Sequence, residues 1–377
     1  MTLPASPLKT SRSLSNMLAF QRYVVVGANS GGDQVKDFLE EHGKSVAAFT
    51  DLNADLCGVK RAGVDVMAPT SLDRFVDADT AFVIGTIRQR DAAELLVDAV
   101  GASPERIFPF VNPMFAPHYD AAIWDQLAPR LAVVRSRLSD ANSRAYFDGV
   151  TAFYRTLDAR HLVPSHERIG QYGYKAAGAN PRPGDTIVDC GAFTGDTIEE
   201  YLVAAGGNCR IFALEAFLPN LRHLVARIAE RNLKSVVTPL HVAVAGQQGA
   251  MIIAGDDTNP DATATTVLKN EGYRDLVLTE TLDNIFLKHM PTRIDYLKVD
   301  VEGADVDALK GASRILREHR PVAAVAAYHK PEHVAEIPEL LAEALSPCRI
   351  YAAHDPKWNF HIHYIAVPEE RAVSSSH

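Results

Sequence analysis

Carboxylates and glycines cluster at one point of the chain in a pattern that suits a cationic ligand. In "TIVDCGAFTGDT", residues 186–197, an apolar run ends in Asp189. Gly191 and Gly195 follow, and Asp196 and Thr197 close the turn. Strand, acid and glycine turn open a nucleotide-binding α/β unit. A dinucleotide fingerprint is G-x-G-x-x-G, with pyrophosphate on the helix N-terminus. Here the spacing is Gly191-x-x-x-Gly195, flanked by two carboxylates that would repel a pyrophosphate. The same carboxylates are favourable beside the amine and sulfonium of S-adenosylmethionine. The next strand, "FALEA", ends in Glu215, placed to accept both ribose hydroxyls. The expected cofactor contacts are Asp189, Gly191, Ala192, Gly195, Asp196, Thr197, Glu215 and Ala216, joined by Val242 and by Tyr174 or Tyr172 of "YGYK". The plain alternative is an ordinary strand–turn–helix with capping acids.

A second group of residues suits transfer chemistry. "LKVDVEG" places Lys298, Asp300 and Glu302 at a strand end, and Tyr328-His329-Lys330 ends the next strand. In an open α/β sheet, ligands bind beyond the carboxyl ends of the strands. Were the acceptor a hydroxyl, as the family resemblance described below implies, transfer would need a base, or a cation that stabilises the developing alkoxide. His329 has the intrinsic pKa of a base. Asp300 and Lys298 complete the catalytic candidates. Alternatively, Asp300, Glu302 and His329 hold Mg²⁺ or another divalent cation, by fold analogy with catechol-type O-methyltransferases. Capping roles for Asp300 and Glu302, a structural role for His329 and ion pairing for Lys298 are the plain readings. His354, His361 and His363 near Asp355 form a further metal option.

The elements that must position these residues fall into two α/β series. Strands are expected at "TIVDC", "RIFALEA", "VVTPLHVAV", "IDYLKVD", "PVAAVAAY", "CRIYAAH" and "FHIHYIAV", with helices between most of them. Only "DPKWN" separates the last two, so they should pair antiparallel. This predicts a seven-stranded, mainly parallel sheet of the class I methyltransferase (Rossmann-like) type. Ahead of it, strands at "YVVV", "SVAAFTD", "DTAFVIGT" and "RIFPFV" alternate with helices and imply a smaller parallel sheet. Between the two series, Ile123, Leu127, Leu131, Val134 and Leu138, then Tyr146, Val150, Phe153 and Leu157, recur at helical spacing. Pro129 is a potential kink, and the stripes read as packing between two domains. The expected organisation is a loose tail over 1–20, a Rossmann-like domain over 21–118, a helical connector over 119–170 and a methyltransferase domain over 171–377.

In the front series, Gly27, Asn29, Ser30 and Gly31 lie in "GANSGG", and Asp51 ends the second strand. About residues 22–113 resemble the small Rossmann-like front domain of sugar-nucleotide acyltransferases. That resemblance implies a nucleotide-sugar held by Gly27, Asn29, Ser30, Gly31 and Asp51. The glycines lack full G-x-G-x-x-G spacing, which counts against an NAD-dependent oxidoreductase or epimerase. A vestigial pocket that serves packing or dimerisation is the alternative.

The segments "TIVDCGAFTGDT", "FALEAFLPNLRHL", "LHVAVAGQQGAM", "TLDNI" and "IDYLKVDVEGADVDALKGASRIL" occur in this order. Together, over roughly 172–367, they resemble the FkbM family of S-adenosylmethionine-dependent O-methyltransferases. The family usually has Glu-Pro after its second strand, where this chain has Glu215-Ala216. The resemblance implies methyl transfer to a hydroxyl of a sugar, sugar nucleotide or glycosylated metabolite. A non-catalytic nucleotide-binding scaffold is the competing class, and retention of Asp189, Glu215 and Asp300 counts against it.

The whole chain bounds these readings. Its 377 residues suggest two domains. With 38 basic and 47 acidic residues the net charge is −9, and no basic stripe marks a nucleic-acid footprint. Four cysteines without CxxC spacing favour a cytoplasmic protein with reduced thiols. No run approaches the ~20 apolar residues of a membrane helix. A homodimer stays open as an assembly.

Overall fold

A computed structural model describes residues 14–109, 118, 120–163, 172–255, 273–354 and 360–372. The chain divides into two compact units. Unit 1 comprises residues 1–129, 145–165 and 357–360; unit 2 comprises 130–144, 166–356 and 361–377. Among the described residues no helix is long and apolar enough to cross a membrane. All four cysteines are free.

Unit 1 is built on a six-stranded sheet of β1 (Arg22–Val26), β2 (Val46–Thr50), β3 (Lys60–Arg61), β4 (Val64–Met67), β5 (Thr80–Ile84) and β6 (Ile107–Pro109), in the order β3-β4-β2-β1-β5-β6. All pairings are parallel except β3 with β4. A central parallel strand is covered on both faces, so it reads as an unbroken apolar run. Tyr23-Val24-Val25-Val26 of β1 is such a run, and all four are fully buried. The sequence reading missed the short pair β3 and β4. It also placed residues 1–20 in a loose tail. Residues 1–13 lie outside the described residues, but Met17 is buried in this core and its carbonyl accepts from the Tyr23 hydroxyl at 3.0 Å.

The turn after β1 explains the front glycines. A Cβ on Gly31 would stand 2.3 Å from the Gly85 carbonyl oxygen, and one on Gly32 1.9 Å from that of Gly27. These positions are glycine because backbone packs on backbone there. Asn29 caps the helix Ser30–Glu41, its side chain accepting from the Gly31 and Gly32 N–H groups at 2.9 and 3.2 Å. Asp51 accepts from the Ala28 N–H at 2.7 Å and the Asn53 N–H at 2.8 Å. The polar groups expected to meet a nucleotide-sugar thus have internal partners. Asn29→Ala should cost about 1 kcal/mol of stability, the usual cost of losing an N-cap. Urea unfolding of the full chain checks this.

The predicted helical stripes form the helices Ala121–Arg137, continuous through Pro129, and Ala141–Thr156. Leu127, Leu131, Val134, Leu138, Tyr146, Val150, Phe153 and Leu157 are buried as their spacing required. Ile123 is half-buried.

Unit 2 carries a seven-stranded sheet of β7 (Thr186–Cys190), β8 (Arg210–Glu215), β9 (Val237–His241), β13 (Tyr296–Val299), β14 (Val322–Ala326), β15 (Cys348–His354) and β16 (Ile362–Pro368). The order is β15-β16-β14-β13-β7-β8-β9, with only β16 antiparallel to its neighbours. This is the predicted seven-stranded, mainly parallel sheet with an antiparallel last pair. The loop between that pair, 355–359, lies outside the described residues. A three-stranded sheet of β10 (Ala243–Val244), β11 (Gly249–Gly255) and β12 (Tyr273–Glu280) was not foreseen.

Candidate active site

The order β14-β13-β7-β8 sets the carboxyl ends of four parallel strands side by side. Above them opens a cavity of about 320 Å³. Asp196, Thr197, Glu215, Lys298, Asp300, Glu302 and Tyr328 supply its polar wall, and Phe193, Phe217, Met251 and Ile253 its apolar wall. A few convergent polar groups in an apolar pocket are what a small-molecule site requires.

Gly191 brings the first two strand ends together. It has φ +74°, and a Cβ there would lie 1.8 Å from the Asp300 carbonyl oxygen. The register of β13 on β7 sets Lys298 opposite Asp189. Their side chains, 3% and 0% exposed, form an ion pair at 3.0 Å. Lys298 also donates to the Gly191 carbonyl at 2.6 Å, and the Thr197 hydroxyl donates to Asp189 at 2.6 Å. Burial pulls the ammonium of Lys298 down, but Asp189, Asp300 and Asp196 together hold it above its ordinary value.

Glu215 joins two loops. One carboxylate oxygen accepts from the Phe193 N–H and the other from the Phe217 N–H, each at 2.8 Å. Burial pushes this carboxyl up to about 7, against the pull of those two N–H groups. Asp196 is likewise raised by burial.

Asp300 receives three groups. The hydroxyls of Tyr172 and Tyr328 both donate to it, the latter at 3.1 Å, and His329 Nε2 stands 3.4 Å away. His329 Nε2 also lies 3.6 Å from Glu302, while its Nδ1 meets Asp305 at 2.8 Å. Asp305 is fully buried and held by the N–H groups of Val301 and Gly303. Burial lowers the pKa of His329, but Asp305, Asp300 and Glu302 raise it to about 9. Burial pushes Glu302 up to about 7, with His329 opposing.

These contacts sort the residues that the sequence singled out. Gly191, Asp196, Thr197, Glu215, Ala216, Val242 and Tyr172 line the cavity, as do Lys298, Asp300 and Glu302. Three expected contacts act behind the wall instead. The Asp189 carboxylate serves Lys298 and Thr197. Ala192 is fully buried in the core. A Cβ on Gly195 would press on Leu224 and Ile198, so its glycine fits helix packing. Tyr174 is corrected as well: its hydroxyl bonds to Asp140 and Ser143, and its ring stacks on Tyr351. The base role does not fit His329, because a histidine raised to about 9 is already protonated at neutral pH. Nor does Lys298 fit as a catalytic group that exchanges a proton, being an ion-paired cation.

Sequence reasoning passed over Asp305, which the D-x-x-x-x-D spacing after Asp300 could have signalled, and Tyr328 as a partner of Asp300. Among the described residues, Asp300, Asp305 and His329 form a group whose potential ligand atoms lie within 4.8 Å of one another. Of the other histidines, His361 stacks on Tyr328 at 4.0 Å and His363 meets the Tyr172 ring edge-on at 4.8 Å. Asp355, named with them, lies outside the described residues.

A structure of the methyltransferase FkbM from Methylobacillus flagellatus KT superposes with a TM-score of 0.67 at 18% identity, covering 94% of this chain and 94% of that one. Fibrillarin from Aeropyrum pernix, solved with natively bound S-adenosyl-L-methionine, covers 52% of this chain and 71% of that one at 16% identity and a TM-score of 0.33. A putative rRNA-methylase from Clostridium thermocellum covers 50% and 89% at 13% identity and a TM-score of 0.32. The first likeness is one of fold; the other two are too slight to argue from. No curated protein matches the chain. Residues 189–346, which span the glycine turn, Glu215, the Lys298–Glu302 strand end and His329, match the family model described as the methyltransferase FkbM domain.

Proposed function

We propose that unit 2 transfers the methyl group of S-adenosylmethionine to a hydroxyl of a sugar, sugar nucleotide or glycosylated metabolite. The observation that carries this reading is the charge of the cavity. Asp196, Glu215, Asp300 and Glu302 line it, and Lys298, already paired with Asp189, is the cation among them. Such a wall favours a ligand with positive charge and repels a pyrophosphate. The donor set fits the cofactor: Glu215 keeps lone pairs toward the cavity beyond the two N–H groups it accepts. When bound, the cofactor supplies an electrophilic methyl group on a cationic sulfur. Glu215 would hold the ribose hydroxyls, and Asp196 the amine. Phe193, Phe217, Met251 and Ile253 exclude water from the same space. Positioning two reactants in line accounts for much of the rate in such a transfer. The hydroxyl acceptor and its sugar class rest on the FkbM resemblance.

Calorimetry with S-adenosylhomocysteine tests the reading on the full chain. Glu215→Ala should weaken binding by about 1.5–3 kcal/mol, the scale of a hydrogen bond to a charged group. Absence of any adenosyl binding by the native protein would sink the proposal. The pH dependence has a definite sign. With its value near 7, Glu215 is partly protonated at neutrality. Ribose hydroxyls donate best to the ionised form, so binding should release a proton. Affinity should therefore fall as pH drops below 7 and level off above it, and Glu215→Gln should flatten that curve.

A further inference from the structure

We propose that His329 Nε2, Asp300 and Glu302 form a binding site for a divalent cation of the Mg²⁺/Mn²⁺ class, with Asp305 orienting the histidine from behind. Three independent features of unit 2 point to it. First, the His329 side chain is 4% exposed, and its Nε2 has no hydrogen-bond partner although it faces two carboxylates. A buried nitrogen left in this state needs an explanation. Second, the spacings fit an ion better than a direct bond. Nε2 lies 3.4 Å from Asp300 Oδ1 and 3.6 Å from Glu302 Oε2. Adjacent ligands held about 2.1 Å from an octahedral metal lie about 3.0 Å apart, so a closure of roughly half an ångström would bring both carboxylates and Nε2 onto one ion. Third, Glu302 has φ +52°, a left-handed conformation that non-glycine residues seldom adopt. Strain of this kind persists where the surroundings impose it, and such sites are often functional.

The arrangement behind the ligands has the same meaning. Asp305 takes the Nδ1 side at 2.8 Å and is itself fixed by two backbone N–H groups. A carboxylate that accepts from Nδ1 turns Nε2 toward the ion, which on binding would displace the Nε2 proton and take its lone pair, the usual outer arrangement of a metal-bound histidine. One imidazole and two carboxylates, with the remaining positions open to the cavity, suit an oxygen-loving ion that keeps exchangeable waters. Asp300 and Glu302 both line the cavity. The role of the ion rests on the methyltransferase reading above. A bound cation would take the acceptor hydroxyl as a ligand and lower its pKa, so that the proton leaves to solvent while the O–C bond forms, the C–S bond of the sulfonium breaks and S-adenosylhomocysteine departs as the neutral thioether.

The test uses Mn²⁺ on the metal-stripped full chain, with no acceptor required. Titration followed by electron paramagnetic resonance should show one Mn²⁺ bound per chain. Spin-echo modulation from an imidazole nitrogen should appear and should vanish in His329→Ala. Glu302→Gln and Asp300→Asn should each weaken binding at least tenfold. Asp307→Asn, an exposed carboxylate of the neighbouring helix, should bind as the native chain does. Circular dichroism and thermal melts establish that each variant is folded, and Glu302→Gln keeps the test decisive if His329→Ala is not. No saturable Mn²⁺ binding, or binding unaffected by Glu302→Gln and Asp300→Asn, would overturn the site. Calorimetry with S-adenosylhomocysteine on the same samples separates the two ideas. Cofactor binding without Mn²⁺ binding defeats the cation site alone. Mn²⁺ binding without cofactor binding leaves the site standing and defeats its catalytic role.

Discussion

Lys298→Met should destabilise unit 2 by about 3–5 kcal/mol, the cost of leaving a buried charge without its partner. The stranded group is Asp189, which is wholly buried and, among the described residues, is otherwise met by the Thr197 hydroxyl. The same change frees the Gly191 carbonyl that Lys298 holds at 2.6 Å. Equilibrium urea unfolding of the full chain should show the loss as a lower midpoint in the transition of unit 2. Asp189→Asn alone should cost a comparable amount, because Lys298 would then be the unpaired ion. The double variant is the discriminating sample. Replacing both members of a buried pair is often close to neutral, so it should recover most of the loss. If the two single losses simply added, the pair would not be the interaction that holds these strands, and the account of Asp189 as a support behind the cavity would fall.

This pair also shows what could and could not be read from the chain. Asp189 was legible as a strand-end acid before a glycine turn, and it is one. Its partner was not, because Lys298 lies 109 positions away and meets it only through the register of β13 on β7. The sheet strands were legible because most are short, largely buried apolar runs bounded by turn residues, the half-exposed edge strand β9 being the exception. The small sheet of β10–β12 was not. Its strand Tyr273–Glu280 buries Val277 but leaves Leu276 and Leu278 largely exposed, so apolar residues occupy both faces and hide the alternation. Among the site residues, Glu215 could be placed from its strand end. The environment of His329 could not. A lone histidine after a strand looks like a base on its intrinsic pKa. Three carboxylates from the neighbouring strand end and helix change that, and only the packing of β14 on β13 brings them to it. The front glycines were misjudged for a related reason. Glycine permits close approach of a ligand or of another backbone, and in unit 1 the partner is the Gly85 carbonyl.

Gly191→Ala should abolish cofactor binding and cost several kilocalories of stability, while Gly184→Ala should do neither. Both glycines have positive φ, +74° and +90°. Each substitution therefore carries the left-handed penalty of roughly 1–2 kcal/mol. They differ in what the new methyl group meets. At Gly184 nothing lies within 4 Å of it. At Gly191 it would stand 1.8 Å from the Asp300 carbonyl oxygen and 2.9 Å from the carbonyl carbon. Neither atom can turn aside, because both belong to the backbone where β13 ends. The Asp300 N–H moreover donates to the Cys190 carbonyl at 3.1 Å and ties the same two loops together. Relief requires the ends of β7 and β13 to part, and that movement carries Asp300, Glu302 and the glycine turn with it. Those are the walls of the cavity, and a displacement of about 1 Å is enough to ruin a positioned site. Calorimetry with S-adenosylhomocysteine and thermal melts, run on both variants, read the two effects apart. Gly184→Ala should bind as the native chain does, with a melting temperature lowered only slightly. Should Gly191→Ala bind the cofactor normally, the close contact between the two strand ends would not be what shapes this site.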